Sequence, residues 1–324
     1  MERILQIKNL KTYFYTEEGV VPAVDGVDMH LDQGETLAVV GESGCGKSVT
    51  ALSTLRIVPT PPGKILEGEI LYKGEDLLKK SEKEMRKIRG NEISMIFQEP
   101  LTSLNPVFTI GKQLCDILKL HQGLNKAQAR EKSIEMLKKV RIPSPEKVID
   151  DYPHQLSGGM RQRVMIAMAL ACDPSILIAD EPTTALDVTI QAQIMHLLSD
   201  LKKERNTSII IITHDLGVVA QIAQNVMVMY AGQEVEYADV ESIFKDPLHP
   251  YTKGLLASLP VLGTEQETLY SIKGNIPAPK DYPKGCRFSS RCEEACEKCR
   301  MEAPPLVDVG DGRQVRCWKY AGGY

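Results

Sequence analysis

The chain has 324 residues, 43% of them hydrophobic, enough for one large domain with a smaller companion or for two domains. Its formal net charge of −4, spread along the chain, supplies no basic field of the kind that nucleic-acid binding requires and argues against that class. No stretch approaches the roughly 18 consecutive apolar residues of a membrane span, and Met1-Glu2-Arg3 is followed by no apolar leader core, so the expected location is the cytosol or a membrane surface.

Residues Ile4 to Leu10 alternate apolar and polar groups, Tyr13-Phe14-Tyr15 precedes the acidic turn Glu17-Glu18-Gly19, and Val27 to Leu31 closes at Asp32-Gln33-Gly34. These read as antiparallel strands. The aromatic triplet fits ordinary strand packing or a ring that stacks on a purine, and the chemistry alone leaves both open. Next comes the apolar run Thr36 to Val40, and then Gly41-Glu42-Ser43-Gly44-Cys45-Gly46-Lys47-Ser48, which fits G-x-x-x-x-G-K-[ST] at every fixed position. Val49 to Leu55 continues as a helix, giving the strand, loop and helix context of a P-loop. The glycines let the backbone turn its N–H groups, from Ser43 to Val49, onto phosphate oxygens at a helix N-terminus. Lys47 reaches the β- and γ-phosphates and the Ser48 hydroxyl ligates Mg2+. A chance glycine-rich turn seldom ends in Lys-Ser with correct flanks on both sides.

After the break at Pro59 to Gly63, Gly68 to Gly74 reads as a strand and turn, Ser81 to Arg89 as a polar helix, and Ile93 to Phe97 as a buried strand ending in Gln98. That amide either caps the strand end or contacts Mg2+ and the attacking water. From Thr109 to Val140 the apolar residues recur at helical spacing, which predicts an all-α insertion from about Pro100 to Gln155. Leu156-Ser157-Gly158-Gly159-Met160-Arg161-Gln162 then opens a helix with Ser157 as N-cap, and its open first-turn N–H groups suit an anion. Ile176 to Ala179 is a buried strand that delivers Asp180 and Glu181 at its C-terminal end, where α/β sheets bind ligands. Asp180 suits a Mg2+ shell and Glu181 a base for water. Asp187 precedes a helix from Thr189 to about Glu204, and Ser208 to Thr213 delivers His214 at the end of a central strand, which fits either an ordinary surface or core histidine or a contact to a γ-phosphate. Val226 to Tyr230 completes the core, with Gln233 to Tyr237 able to pair with it.

Cysteines are distributed unevenly. Cys45, Cys115 and Cys172 are scattered, whereas Cys286, Cys292, Cys296, Cys299 and Cys317 crowd the last part of the chain, a cluster that in a cytosolic protein points to metal. On chemistry alone, four thiolates suit zinc or an iron-sulfur cluster equally.

In this order the segments resemble the ATP-binding cassette (ABC) ATPases from residue 1 to about 245. The resemblance implies an α/β P-loop NTPase core with an antiparallel β subdomain and an α-helical subdomain at about 100–155. It assigns Phe14, or alternatively Tyr13, to the adenine, Ser43, Gly44, Cys45, Gly46, Lys47, Ser48 and Val49 to the phosphates, and Ser48, Gln98 and Asp180 to Mg2+. Glu181, His214 and Gln98 then serve hydrolysis, Asp187 belongs to the nucleotide-binding set, and Ser157 and Gly159 act where two cassettes close head to tail over ATP. Cys45 stands where serine is frequent, at a position contacted through its backbone.

Beyond the cassette, residues 246–324 resemble the C-terminal extension of dipeptide and oligopeptide importer ATPases, on Asp246 to Thr252, Leu255 to Leu259, Gly274-Asn275-Ile276-Pro277 and the cysteines. The implications are a small cysteine-rich domain and a 4Fe-4S cluster on Cys286, Cys292, Cys299 and Cys317, with zinc as the alternative and Cys296 left over. Implied partners are a second cassette, two integral membrane permease subunits and, indirectly, an extracytoplasmic substrate-binding protein, at the cytoplasmic face of the membrane. Some nickel importers carry similar extensions. A P-loop GTPase is rejected because Asn125-Lys126-Ala127-Gln128 ends in glutamine, and a soluble ABC ATPase usually holds two cassettes where this chain has one P-loop.

Overall fold

The computed structural model describes residues 2–99, 103–183, 188–259 and 270–322. Its strands in chain order are β1 (Arg3–Thr16), β2 (Gly19–Asp32), β3 (Thr36–Val40), β4 (Gly63–Tyr72), β5 (Glu75–Asp76), β6 (Ile93–Ile96), β7 (Ile176–Asp180), β8 (Ser208–Ile212), β9 (Asn225–Tyr230), β10 (Gln233–Asp239), β11 (Val307–Gly310) and β12 (Arg313–Val315). Two compact units divide them: one of Met1–Glu2, Leu31–Thr36 and Lys79–Ile212, the other of Arg3–His30, Leu37–Leu78 and Thr213–Tyr324.

In the first unit β6, β7 and β8 pair in parallel, with Ile93 opposite Ile176 and Ile176 opposite Ser208. All residues of the three strands are buried, which is why they read as unbroken apolar runs rather than as alternation. The Ser81 helix is present as Glu82–Ile88, opened by a reciprocal capping box between Ser81 and Glu84. The helical stretch expected over Thr109 to Val140 resolves into Ile110–Gln122 and Lys126–Lys139. Gly123, left-handed at φ 64°, ends the first, and the Asn125 side chain accepts from the backbone N–H groups of Ala127 and Gln128 to begin the second. Pro100, the expected start of the insertion, lies outside the described residues.

In the second unit β3 runs parallel to β9, β10 is antiparallel to β9, β12 to β10 and β11 to β12. A separate antiparallel sheet has the order β2-β1-β4-β5. The cysteine-rich segment has no unit of its own and belongs to this second one. Its hairpin β11–β12 extends the sheet that carries β3, and Phe288 packs against Tyr230 and Tyr251 with ring centroids 5.2 and 5.4 Å away. That aromatic cluster is the reason a segment poor in aliphatic residues is ordered: its apolar area comes from rings. Among the described residues, no helix is long and apolar enough to cross a membrane.

Candidate functional site

The P-loop takes the expected local form. Strand β3 is wholly buried and delivers Gly41, whose φ of +150° and closeness to the Met229 carbonyl leave no room for a Cβ. The helix Lys47–Thr54 starts at Gly46, at φ 104°, where an added Cβ would meet the Ala23 carbonyl oxygen at 2.3 Å. The N-cap Gly46 makes no side-chain cap, and a helix start of this kind suits an anion. Ser43 and Gly44 are exposed at the rim, while Cys45 is buried and its carbonyl accepts from the Gly232 N–H at 2.9 Å. Lys47 is buried too, and its Nζ donates to the carbonyls of Gly41 (2.8 Å) and Glu42 (3.1 Å) across the loop. Ser48 and Val49 are half-buried on the first helical turn. Of the aromatic pair, Tyr13 donates its hydroxyl to Asp25 at 2.7 Å, whereas Phe14 lies half-buried beside Gly63. His214 follows β8 and is exposed.

The first unit brings Asp180, Glu181 and Gln98 to the adjacent ends of β6 and β7. Asp180 is buried and paired in the sheet with Ile212. Glu181 has a left-handed φ of 45°, with its N–H bonded to the Ile212 carbonyl at 2.9 Å. Its carboxylate accepts from the Gln98 side-chain amide at 2.7 Å. Ser157 caps the helix Gly158–Leu170 by accepting from the Met160 N–H at 3.3 Å, and Gly158 and Gly159 leave that helix start open, as expected. Asp187 lies outside the described residues.

Four cysteines, Cys286, Cys292, Cys299 and Cys317, line one small cavity together with Phe288 and Pro304, about 20 Å³ in volume and partly open to solvent. Gly285 makes this possible: a Cβ there would meet the Cys299 carbonyl oxygen at 2.2 Å, the same oxygen that accepts from the Cys286 N–H at 2.7 Å. Burial pushes the Cys286 thiol up to about 12 and that of Cys292 to about 11, and raises Cys299 and Cys317 as well. Cys296 does not line the cavity, and its sulfur lies 3.4 Å from that of Cys299. Among the described residues, no group of three or more His, Cys, Asp or Glu side chains is arranged to hold a metal ion, so neither zinc nor a cluster is shown.

Several contacts around these positions have no counterpart in the sequence motifs. Arg291 pairs with Glu42 of the P-loop at 2.7 and 3.0 Å, and the Tyr251 hydroxyl accepts from the Glu42 N–H at 2.9 Å. Arg287 donates to the Asp25 carboxylate that also receives Tyr13. Glu236, buried, accepts from the N–H groups of Leu248 (2.7 Å) and His249 (2.9 Å), fixing the entry to the helix Pro250–Ala257. His249 caps that helix through Nδ1, and burial lowers it to about 3, so it stays neutral. The motif containing His249 and Tyr251 could have pointed to this region; nothing signalled Arg291.

A buried strand, a P-loop and a following helix, together with parallel strands ending in Asp180 and Glu181, define an ABC ATPase fold. The ABC transporter family profile matches residues 24–184, and the profile for the oligopeptide/dipeptide transporter C-terminal region matches 235–299. The oligopeptide transport ATP-binding protein AppD of Bacillus subtilis is 54% identical over 99% of this chain and 98% of its own length. The dipeptide transport ATP-binding protein DppD of Escherichia coli is 48% identical over 97% and 96%. Among solved structures, the dimeric post-hydrolysis state of the ATP-binding cassette MJ0796 bound to ADP and Pi superposes with a TM-score of 0.66 at 28% identity, covering 73% of this chain and 98% of that one. The chain belongs to the ATP-binding subunits of the oligopeptide and dipeptide ABC transporter family.

Proposed function

We propose that the chain is the ATP-binding and ATP-hydrolysing subunit of an importer of dipeptides or oligopeptides. The observation that carries this is identity near 50% with peptide transport ATP-binding proteins over both the cassette and the extension, not over the cassette alone. In this reading Lys47 and the N–H groups of Ser43 to Val49 hold the phosphates, and Phe14 stacks on the adenine because the Tyr13 hydroxyl is held by Asp25. Ser48, Gln98 and Asp180 are the residues that fit Mg2+, which when bound neutralises phosphate charge. Glu181 orients and deprotonates water, held in place by the Gln98 amide, and His214 contacts the γ-phosphate. Ser157 and Gly159 complete the site of a second cassette packed head to tail, an arrangement supported by the dimeric MJ0796 structures, and Asp187 belongs to the nucleotide-binding set. At the cytoplasmic face of the membrane the chain docks on two integral membrane permease subunits, supplied with cargo by an extracytoplasmic binding protein. Purification from a native membrane extract tests this: the chain should bring integral membrane subunits with it, and the reconstituted assembly should hydrolyse ATP faster when peptide and binding protein are supplied. Association with ribosomes, or stimulation by nickel and not by peptide, would overturn it.

We further propose a 4Fe-4S cluster on Cys286, Cys292, Cys299 and Cys317. What supports this reading is that the four thiols line one cavity; zinc on the same four is the alternative. Burial disfavours four bare thiolates, and a bound cationic group supplies the charge that lets them ionise.

A further inference from the structure

Arg291 is held on every side. Each of its five N–H directions meets an acceptor: Nε the Lys273 carbonyl at 3.1 Å, Nη1 Glu42 Oε2 at 2.7 Å and the Tyr230 hydroxyl at 3.4 Å, Nη2 Glu42 Oε1 at 3.0 Å and the Ile272 carbonyl at 3.4 Å. Its side chain is only 5% exposed and that of Glu42 29%, so the pair is shielded from the screening that weakens surface ion pairs. Lysine, a single point charge, cannot reproduce this two-point grip on a carboxylate.

Glu42 is the second residue of the P-loop. Its carboxylate is gripped by Arg291, its N–H by the Tyr251 hydroxyl, and its carbonyl accepts from Lys47 Nζ at 3.1 Å. All three of its polar groups are therefore fixed, two of them by residues of the extension. Arg291 in turn directly precedes Cys292, which lines the cysteine cavity. We infer that Arg291 is a positioning residue for nucleotide binding: through Glu42 it holds the P-loop in the conformation that receives the phosphates, so that the extension sets the affinity of the cassette for ATP. The inference rests on reading Gly41 to Ser48 as the nucleotide site and does not depend on what fills the cavity.

Titration of the purified full-length chain with a fluorescent ATP analogue tests it, with Lys47→Ala as the control for the P-loop reading. Arg291→Ala and Glu42→Gln should each weaken binding about tenfold, the change that roughly 1.4 kcal/mol produces, and the double variant should be no weaker than either single one. In turnover the loss should fall on KM for ATP more than on kcat. Should Arg291→Ala fail to fold, Arg291→Lys carries the same test, since it keeps the charge and loses the two-point geometry. Unchanged affinity in the Arg291 variant, or losses that multiply in the double variant, would overturn the inference while leaving the P-loop reading intact. Undiminished binding by Lys47→Ala would instead bring down the P-loop reading and the inference with it.

Discussion

The side-chain amide of Gln98 donates to the Glu181 carboxylate at 2.7 Å, joining the ends of two parallel strands, β6 and β7. The Gln98 donor fixes the orientation of the Glu181 carboxylate, and a base for water has to be held in a set direction. Glu181→Gln should therefore retain ATP binding while hydrolysis falls by about 10² or more, the scale of losing a positioned base. The variant should accumulate as an ATP-bound dimer in gel filtration. Near-normal turnover would remove Glu181 from the chemistry.

Binding and closure should separate in two other variants. Lys47→Ala takes away the one cation whose Nζ spans the loop carbonyls of Gly41 and Glu42, and nucleotide titration should show no binding. Ser157→Arg should leave binding by the single chain intact and block pairing of two cassettes. It also deletes the cap on Met160 N–H, so a stability loss of about 1 kcal/mol should accompany it. Equal loss of nucleotide binding in both variants would contradict a composite site.

Anaerobically purified protein should be brown and contain iron and acid-labile sulfide. Cys286→Ser and Cys317→Ser should lose both, whereas Cys296→Ser, outside the cavity, should keep them. A colourless protein with one zinc would refute the cluster, and loss only on changing Cys296 would refute the ligand set.

Glu234 predicts a pH effect on stability. Its side chain is buried on β10, and desolvation pushes its carboxyl up to about 8. The folded state thus keeps a proton that the unfolded chain releases above about 4.5. Stability from this group is fully present below that value and is lost as pH rises towards 8. Thermal melting should show Glu234→Gln more stable than the parent at pH 8 to 9, with the advantage vanishing near pH 4. A pH-independent difference would exclude titration of Glu234 as its source.

Much of the site was legible because its signals are contiguous. Gly41 to Ser48 is one uninterrupted pattern, and Asp180 and Glu181 follow directly on an apolar run that can only be a buried strand. The Thr109 to Val140 periodicity gave helix type but not the break, which Gly123 and Asn125 determine. What the sequence concealed depends on distant pairing. Arg291 and Glu42 are separated by 249 positions, and neither residue type distinguishes a buried ion pair from a solvated charge. Likewise Glu234 and Glu236 read as the polar half of an alternating strand, yet both are buried in β10, beside which β12 lies. The resemblance of the extension implied a separate domain, whereas its rings and arginines join it to the unit that holds the P-loop.

The pairing of β12 with β10 also bears on how the chain matures on the ribosome. β10 is synthesised well before β12, and until Arg313 to Arg316 emerge its outer edge is open and two carboxylates destined for burial are still in water. Arg316 then brings its Nε to the Glu234 carbonyl at 2.8 Å and its N–H to that of Val235 at 2.9 Å. A chain stalled before this point would carry an unsealed sheet edge, the kind of surface that chaperones and proteases capture.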